Sequence, residues 1–132
     1  MSALTNYRGS CHCGRVQFAF RCQEIIDGVR CNCSLCVRRA AVLSSRYIPA
    51  GDFTPHADPD DLDIYLWNER VLNNYRCKSC GTFVYIGDGA RNQDGYRVNL
   101  GCVAGLDIFA LDVRIIDGRS VPLVCPPPVP KD

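Results

Sequence analysis

A chain of 132 residues, 47% of them hydrophobic and 22% charged, has the length and composition of one globular domain and not of a disordered segment. Its formal net charge of +1, with no long run of like charges, gives no electrostatic attraction to nucleic acid or to a membrane surface. No stretch approaches the roughly 18 consecutive apolar residues that a membrane span requires. We therefore expect no nucleic-acid or membrane partner.

The first recognisable element is an alternating segment near the N-terminus. Residues 13–20 place Val16, Phe18 and Phe20 on one face and mostly polar side chains on the other. A period of two is typical of a β-strand with one buried face. Residues 29–33 are predicted to end a second strand in a turn. Residues 36–43 are predicted to begin with one or two helical turns and then to continue as extended chain.

The rest of the chain predicts further strands separated by turns. Residues 51–61 contain two prolines and four aspartates, which favours an exposed loop. Strands are predicted over residues 63–67, 71–76, 82–86, 96–103 and 108–116, the first two of them forming a hairpin. The sequence thus predicts one mainly β domain over residues 1–132, with a few short helical turns. Its core runs over about 7–116, and residues 121–132 form a proline-rich tail on the surface.

Seven of the ten cysteines fall into three tight clusters, at residues 11–13, 31–36 and 77–80. Clustered cysteines could form a disulfide framework in a secreted protein. Residues 1–10 have no apolar core of signal-peptide length, so we expect a cytoplasmic chain with reduced thiols. Metal binding is then the main use of clustered cysteine. Zinc prefers sulfur ligands and takes four protein ligands at a closed structural site and three at an open catalytic one.

Four cysteines form the predicted closed site: Cys11, Cys13, Cys77 and Cys80. On an extended strand Cys11 and Cys13 point to the same side, while His12 points away. The two-residue spacer between Cys77 and Cys80 folds into a knuckle, in which Gly81 can adopt the positive φ that the turn requires. We expect this four-thiolate site to hold the fold together.

Three cysteines form the predicted open site: Cys31, Cys33 and Cys36. The first two lie on one face of an extended segment, and Cys36 lies one turn further on. A thiol bound at the fourth position of such a site would lose its proton and become a nucleophile. Alternatively, a fourth protein ligand closes this site as well. The candidates are Cys102, Cys125, Cys22 and His56, of which Cys102 is the strongest because it borders a turn.

The cysteine motifs at residues 9–14, 31–36 and 77–82, together with residues 98–102, resemble those of the glutathione-dependent formaldehyde-activating enzyme family, which includes centromere protein V. The likeness extends from about residue 7 to about residue 116. It implies a compact zinc-stapled β fold related to methionine-R-sulfoxide reductases and to a small Rab-binding zinc protein. It also implies two zinc ions per chain, the first structural and the second, on Cys31, Cys33 and Cys36, catalytic.

The resemblance further implies a carbon–sulfur lyase that forms and cleaves S-(hydroxymethyl)glutathione, with a small thiol and an aldehyde as substrates. Glutathione carries two carboxylates, so its site should offer cations. Arg38 and Arg39 follow Cys36 directly and are the predicted glutathione contacts. Arg91 and Arg97, which flank the turn before residue 99, are further candidates.

Two other functions remain open from the sequence. A non-catalytic zinc-binding module for a protein partner would need the same cysteines but no open position. A methionine sulfoxide reductase would need a nucleophilic cysteine in the later strands, for which Cys102 is the contender.

Overall fold

The computed structural model describes residues 3–67, 72–87 and 95–120. Nine strands and one α-helix occur in these residues. They are β1 (Thr5–Ser10), β2 (Gln17–Cys22), β3 (Asp27–Cys31), α1 (Ser34–Arg39), β4 (Phe53–His56), β5 (Leu62–Trp67), β6 (Leu72–Cys77), β7 (Phe83–Gly87), β8 (Tyr96–Val98) and β9 (Asp112–Ile116). Short 3-10 helices punctuate the loops. The predicted mainly β fold is confirmed. In the described ranges no helix is long and apolar enough to cross a membrane.

The strands form three small sheets. Antiparallel β1, β2 and β4 make the first, parallel β3 and β9 the second, and antiparallel β5, β6, β7 and β8 the third. Leu43 forms isolated bridges with Val29 and with Asn99, which connects β3 to the chain that follows β8. The predicted hairpin of β5 and β6 is confirmed, whereas its connection at residues 68–70 and the predicted proline-rich tail lie outside the described residues.

One apolar core joins the first and third sheets. Phe18 and Phe20 are buried on one face of β2, as the alternation predicts. Phe18 meets Tyr85 of β7 edge-on, with ring centroids 5.3 Å apart. Phe53 stacks on Tyr96 at 4.0 Å and meets Tyr85 at 4.9 Å. Offset and edge-on aromatic pairs of this kind add to the stabilisation from area burial alone. The core therefore depends on a residue, Phe53, that the sequence assigns to a loop.

The prediction of an exposed loop over residues 51–61 is wrong for its middle part. β4 lies in this segment and pairs antiparallel with β2, with Phe53 opposite Phe20 and His56 opposite Gln17. β4 is an edge strand, which is where a proline such as Pro55 is tolerated because it lacks only one ladder donor. Burial of Phe53 offsets the poor strand propensity of its neighbours.

Other strand boundaries also differ from the predictions. β1 was not predicted, and the strand predicted over residues 13–20 begins only at Gln17 because a tight turn precedes it. Within 96–103 and 108–116, only β8 and β9 are strands. Leu100–Cys102 and Ile108–Ala110 are 3-10 helices, capped by the side chains of Asn99 and Asp107. Each capping side chain satisfies a backbone N–H that would otherwise lack a partner.

Candidate metal centres

The first cysteine cluster brings four thiols together. The sulfur atoms of Cys11, Cys13, Cys77 and Cys80 all lie within 4.8 Å of one another. The Cys13 sulfur is 3.6 Å from both the Cys11 and the Cys77 sulfur. A tetrahedral zinc with Zn–S bonds of about 2.3 Å requires sulfurs about 3.8 Å apart. The cluster therefore fits a four-thiolate zinc ion.

Two tight turns present these sulfurs. Cys11 and Cys13 lie in a turn before β2 and not on an extended strand, which corrects the predicted reason for their pairing. Gly14 has a φ of 87°, and the Val16 N–H donates to the Cys11 sulfur at 3.3 Å. This turn is possible because glycine adopts positive φ without steric cost.

The second turn carries the other two thiols of this cluster. The knuckle after β6 is as predicted: Gly81 has a φ of 79°, and the Cys80 N–H donates to the Cys77 sulfur at 3.4 Å. The Thr82 hydroxyl, 3.2 Å from the Cys80 sulfur, lowers the pKa of the Cys80 thiol to about 5, helped by backbone N–H groups. His12 is exposed and is not part of the cluster, as expected.

The second cluster forms where β3 runs into α1. The sulfurs of Cys31, Cys33 and Cys36 lie within 4.8 Å of one another. Cys31 is the last residue of β3, Cys33 caps the N-terminus of α1, and Cys36 lies in the first turn of that helix. The Cys36 N–H donates to the Cys33 sulfur at 3.3 Å, and the Cys33 N–H lies 3.5 Å from the Cys31 sulfur. Three soft donors converge, as a zinc ion requires.

Two thiols of the second cluster, those of Cys33 and Cys36, are hydrogen-bonded to each other. The Cys36 thiol donates to the Cys33 sulfur, which lowers the pKa of Cys33 to about 5 and raises that of Cys36. The backbone N–H groups of Leu35 and Cys36 lower the Cys33 pKa further. These hydrogen bonds favour the thiolate form of Cys33, and the thiolate is the form that binds metal.

Among the described residues, no fourth histidine, cysteine or carboxylate places a ligand atom within 4.8 Å of all three thiols. Cys102 lies near the first cluster instead. Its sulfur is 3.6 Å from the Phe83 carbonyl, and burial, followed by the charges of Cys11 and Cys80, raises its pKa to about 11. It therefore does not close the second cluster.

The other proposed closing ligands lie elsewhere. His56 is exposed on β4, at the edge of the first sheet. Cys22 lines a separate cleft of about 350 Å³ that also includes Asp27, at the opposite end of β3 from Cys31. Cys125 lies outside the described residues. Arg97 rests on the Tyr47 ring at 4.5 Å, and Arg91 also lies outside the described residues.

A turn after β9 covers one side of the second cluster, which the sequence did not predict. A Cβ on Gly118 would meet the Cys31 sulfur well inside 3.0 Å and the Cys33 Cβ at 3.3 Å. The Asn32 amide holds this turn by donating to Asp117 at 2.9 Å and accepting from the Arg119 N–H at 2.8 Å. Gly118 is thus required by close approach to the thiols. The Asp117–Gly118 pair in the sequence is typical of a turn, but it does not indicate what the turn covers.

Arg39 lies on the Cys36 side of the cluster, held there by partners that the sequence did not predict. The Arg39 guanidinium is 3.5 Å from the Cys36 sulfur, donates to the Asn74 side chain at 2.6 Å and lies 3.8 Å over the Phe83 ring. Arg38 is exposed and donates to the Ser34 carbonyl at 2.7 Å. The two adjacent arginines, predicted to play the same part, therefore have different surroundings.

Comparison with known proteins agrees with this architecture. The structure superimposes on the crystal structure of a Rhodobacter sphaeroides protein with a TM-score of 0.69 and 26% sequence identity, over 83% of this chain and 99% of that one. Residues 6–116 match the family model described as glutathione-dependent formaldehyde-activating enzyme. This match covers β1 to β9, including both cysteine clusters. The chain belongs to the glutathione-dependent formaldehyde-activating enzyme family.

Proposed function

We propose that this protein is a carbon–sulfur lyase that joins a small thiol to an aldehyde, in the manner of S-(hydroxymethyl)glutathione synthesis, and cleaves the adduct in reverse. In the forward direction a C–S bond forms between the thiol sulfur and the carbonyl carbon, and the carbonyl π bond breaks. The thiol proton ends on the new hydroxyl group, so no oxidant or reductant is consumed. The proposal includes a cytoplasmic location, where reduced glutathione is abundant and thiols stay unpaired.

The observation that carries this proposal is the three-thiol cluster. Cys31, Cys33 and Cys36 offer three ligands, and no fourth one joins them among the described residues. Zinc sites with three protein ligands are typical of catalysis, whereas structural sites take four. Membership of the formaldehyde-activating family supports glutathione and formaldehyde as the substrates.

Three thiolates would give a bound Zn²⁺ a net charge of −1, from three negative charges and two positive ones. When bound there, zinc supplies the positive charge that keeps a thiol at its fourth position deprotonated at neutral pH. The hydrogen bond from Cys36 lowers the pKa of Cys33 and so favours its thiolate, the form that binds metal. The Gly118 turn shields the Cys31 side of the cluster and so restricts the direction from which a thiol can approach.

Glutathione binding is proposed to involve Arg38. Its guanidinium is exposed two residues after Cys36, and one N–H is used by the Ser34 carbonyl. The remaining N–H groups can pair with a carboxylate, the geometry in which arginine binds most strongly. That Arg39 also contacts glutathione stays a prediction. Its guanidinium contacts Cys36, Asn74 and Phe83.

Metal analysis and exchange spectroscopy test this function together. Wild-type protein should contain two zinc ions per chain and should accelerate exchange between glutathione, formaldehyde and their adduct in two-dimensional NMR. Cys33→Ser should fold, contain one zinc and lose the acceleration. Cys22→Ser removes a cysteine that belongs to neither cluster and should behave like the wild type in both measurements. Equal exchange rates in the wild type and Cys33→Ser would remove the lyase proposal and favour a non-catalytic zinc module that binds a protein partner.

A further inference from the structure

Arg39 is fixed in place beside the three-cysteine cluster. Its guanidinium has the Cys36 sulfur at 3.5 Å, the Asn74 side-chain oxygen at 2.6 Å and the Phe83 ring at 3.8 Å. A guanidinium that is hydrogen-bonded on one side and stacked on an aromatic ring has far fewer accessible rotamers than an exposed arginine. The positive charge of Arg39 is therefore a permanent part of this cluster.

Asn74 is itself anchored. Only 5% of it is exposed, and its amide nitrogen donates to the Tyr65 carbonyl at 3.1 Å and to the Leu72 carbonyl at 3.3 Å. These bonds fix which way the amide points, so that its oxygen faces Arg39. The hairpin of β5 and β6 thereby positions the cation from outside the cysteine motif.

The burial of the Arg39 guanidinium has a cost in folding stability. The Arg39 Nε is buried and has no hydrogen-bond partner among the described residues. Leaving such a donor unpaired is costly, and the cost is greater for a charged group. The Cys36 sulfur lies 3.5 Å from another nitrogen of the same guanidinium and would be a thiolate once a metal is bound, so its charge then offsets part of that cost.

The charge of Arg39 bears directly on the fourth position of the cluster. Three thiolates and Zn²⁺ carry −1, and Arg39 brings the sum to zero. An anionic ligand entering the fourth position meets a neutral group with Arg39 present and a negative one without it. The affinity for a neutral ligand changes little between these two cases. At distances of a few ångströms in a partly buried site, one unit of charge changes the affinity for an anion by about tenfold or more.

We propose that Arg39, held by Asn74 and Phe83, is a positioning residue that makes the fourth position of the three-cysteine cluster select an anionic ligand, such as a thiolate, over a neutral one. This inference rests on the proposed function, since it requires a metal ion on Cys31, Cys33 and Cys36. It adds that specificity for the charged form of the substrate comes from outside the metal ligands.

The test uses protein loaded with Co²⁺, whose visible absorption reports its ligands. Thiocyanate serves as the anionic probe and imidazole as the neutral one, and each is titrated separately. Arg39→Gln should lower the ratio of thiocyanate to imidazole affinity by about tenfold or more. Arg39→Lys keeps the charge and should hold that ratio within about threefold of the wild type. Arg39→Met, of similar apolar length, replaces the glutamine variant if circular dichroism shows that the latter does not fold.

Arg30→Gln is the matched control. Arg30 directly precedes Cys31, is exposed and has its guanidinium 3.5 Å from the Ala40 carbonyl; in the part of the chain that the structure describes it forms no hydrogen bond to a cysteine. The Arg30→Gln variant loses the same unit of charge as Arg39→Gln. Because solvent screens this exposed position, its ratio of thiocyanate to imidazole affinity should stay within about twofold of the wild type. An equal fall for Arg30→Gln and Arg39→Gln would show that net charge and not position decides the ratio, which would overturn the proposal.

Two further outcomes separate this inference from the proposed function. If the wild type responds to both probes and Arg39→Gln weakens both equally, Arg39 only supports the structure of the cluster and the inference is wrong, while the open site stands. If the wild type binds a single Co²⁺ or responds to neither probe, the proposed function fails and the inference fails with it.

Discussion

The turn above the three-cysteine cluster has room for glycine but not for alanine at residue 118. Replacing Gly118 by alanine places a methyl group well inside 3.0 Å of the Cys31 sulfur and 3.3 Å from the Cys33 Cβ. Ordinary contact begins at 3.4 Å, so either the sulfur or the turn must move. Gly118 does not have a positive φ, so the backbone itself accepts alanine and the whole effect comes from the contact.

The expected loss of metal affinity follows from how little displacement of its ligand atoms a metal site tolerates. Ligand positions are fixed to about ±0.2 Å, whereas relief of this contact requires a shift of roughly 1 Å. Overpacking of this kind costs about 1–3 kcal/mol. At about 1.4 kcal/mol per tenfold, the affinity of the second cluster for metal should fall by about 5- to 150-fold. The first cluster, which contains none of the contacted atoms, should keep its metal.

The assay is competition for Zn²⁺ against a chromophoric chelator, with metal content measured after dialysis. Gly118→Ala should show one tight and one weakened site, and its circular dichroism should match that of the wild type. Gly51→Ala is the matched control, because a Cβ there meets nothing within 4 Å and its φ is not positive. Two sites of unchanged affinity in Gly118→Ala would refute the reasoning, since they would show that the turn lifts away without cost.

Three further outcomes are expected. Cys77→Ser should aggregate or unfold, since Cys77 is fully buried in the four-thiol cluster, and a soluble variant with unchanged circular dichroism and a cooperative melt would contradict this. Cys102→Ser should keep both zinc ions, because its sulfur faces the Phe83 carbonyl; loss of one ion per chain by elemental analysis would disprove it. Phe53→Ala should lower the free energy of unfolding in urea by about 3–5 kcal/mol, whereas exposed Thr54→Ala should change it by less than about 0.5 kcal/mol, and equal effects would exclude a core role for Phe53.

Features encoded by residues close together in the sequence were predicted, whereas features that depend on contacts between distant residues were missed. The cysteine motifs were found because their spacings are short, and the strand with Phe18 was found because alternation is visible within a few residues. β4 was missed because Pro55 and the aspartates around it dominate the local signal, whereas the burial of Phe53 depends on other sheets.

The surroundings of the second cluster were missed for the same reason. Asn74 lies 35 residues from Arg39, and Asp117 lies 85 residues from Asn32. No periodicity or motif connects such positions, because only the folded chain places them side by side. The sequence could therefore identify the thiols that converge and the arginine that follows them, but not the partners that fix Arg39 or the glycine that lies against Cys31.

The parallel pairing of β3 with β9 has a consequence for the order in which the protein assembles during synthesis. Cys80, the last ligand of the first cluster, leaves the ribosome 38 residues before Gly118, an interval of about 2–8 s at ordinary elongation rates. During that interval the four-thiol cluster can already capture zinc. Cys31, Cys33 and Cys36 are also present, but β3 still lacks its partner β9, and the Gly118 turn does not yet cover the Cys31 sulfur. The nascent chain therefore passes through a stage in which the second cluster is most exposed to oxidants, and early loading with metal protects it.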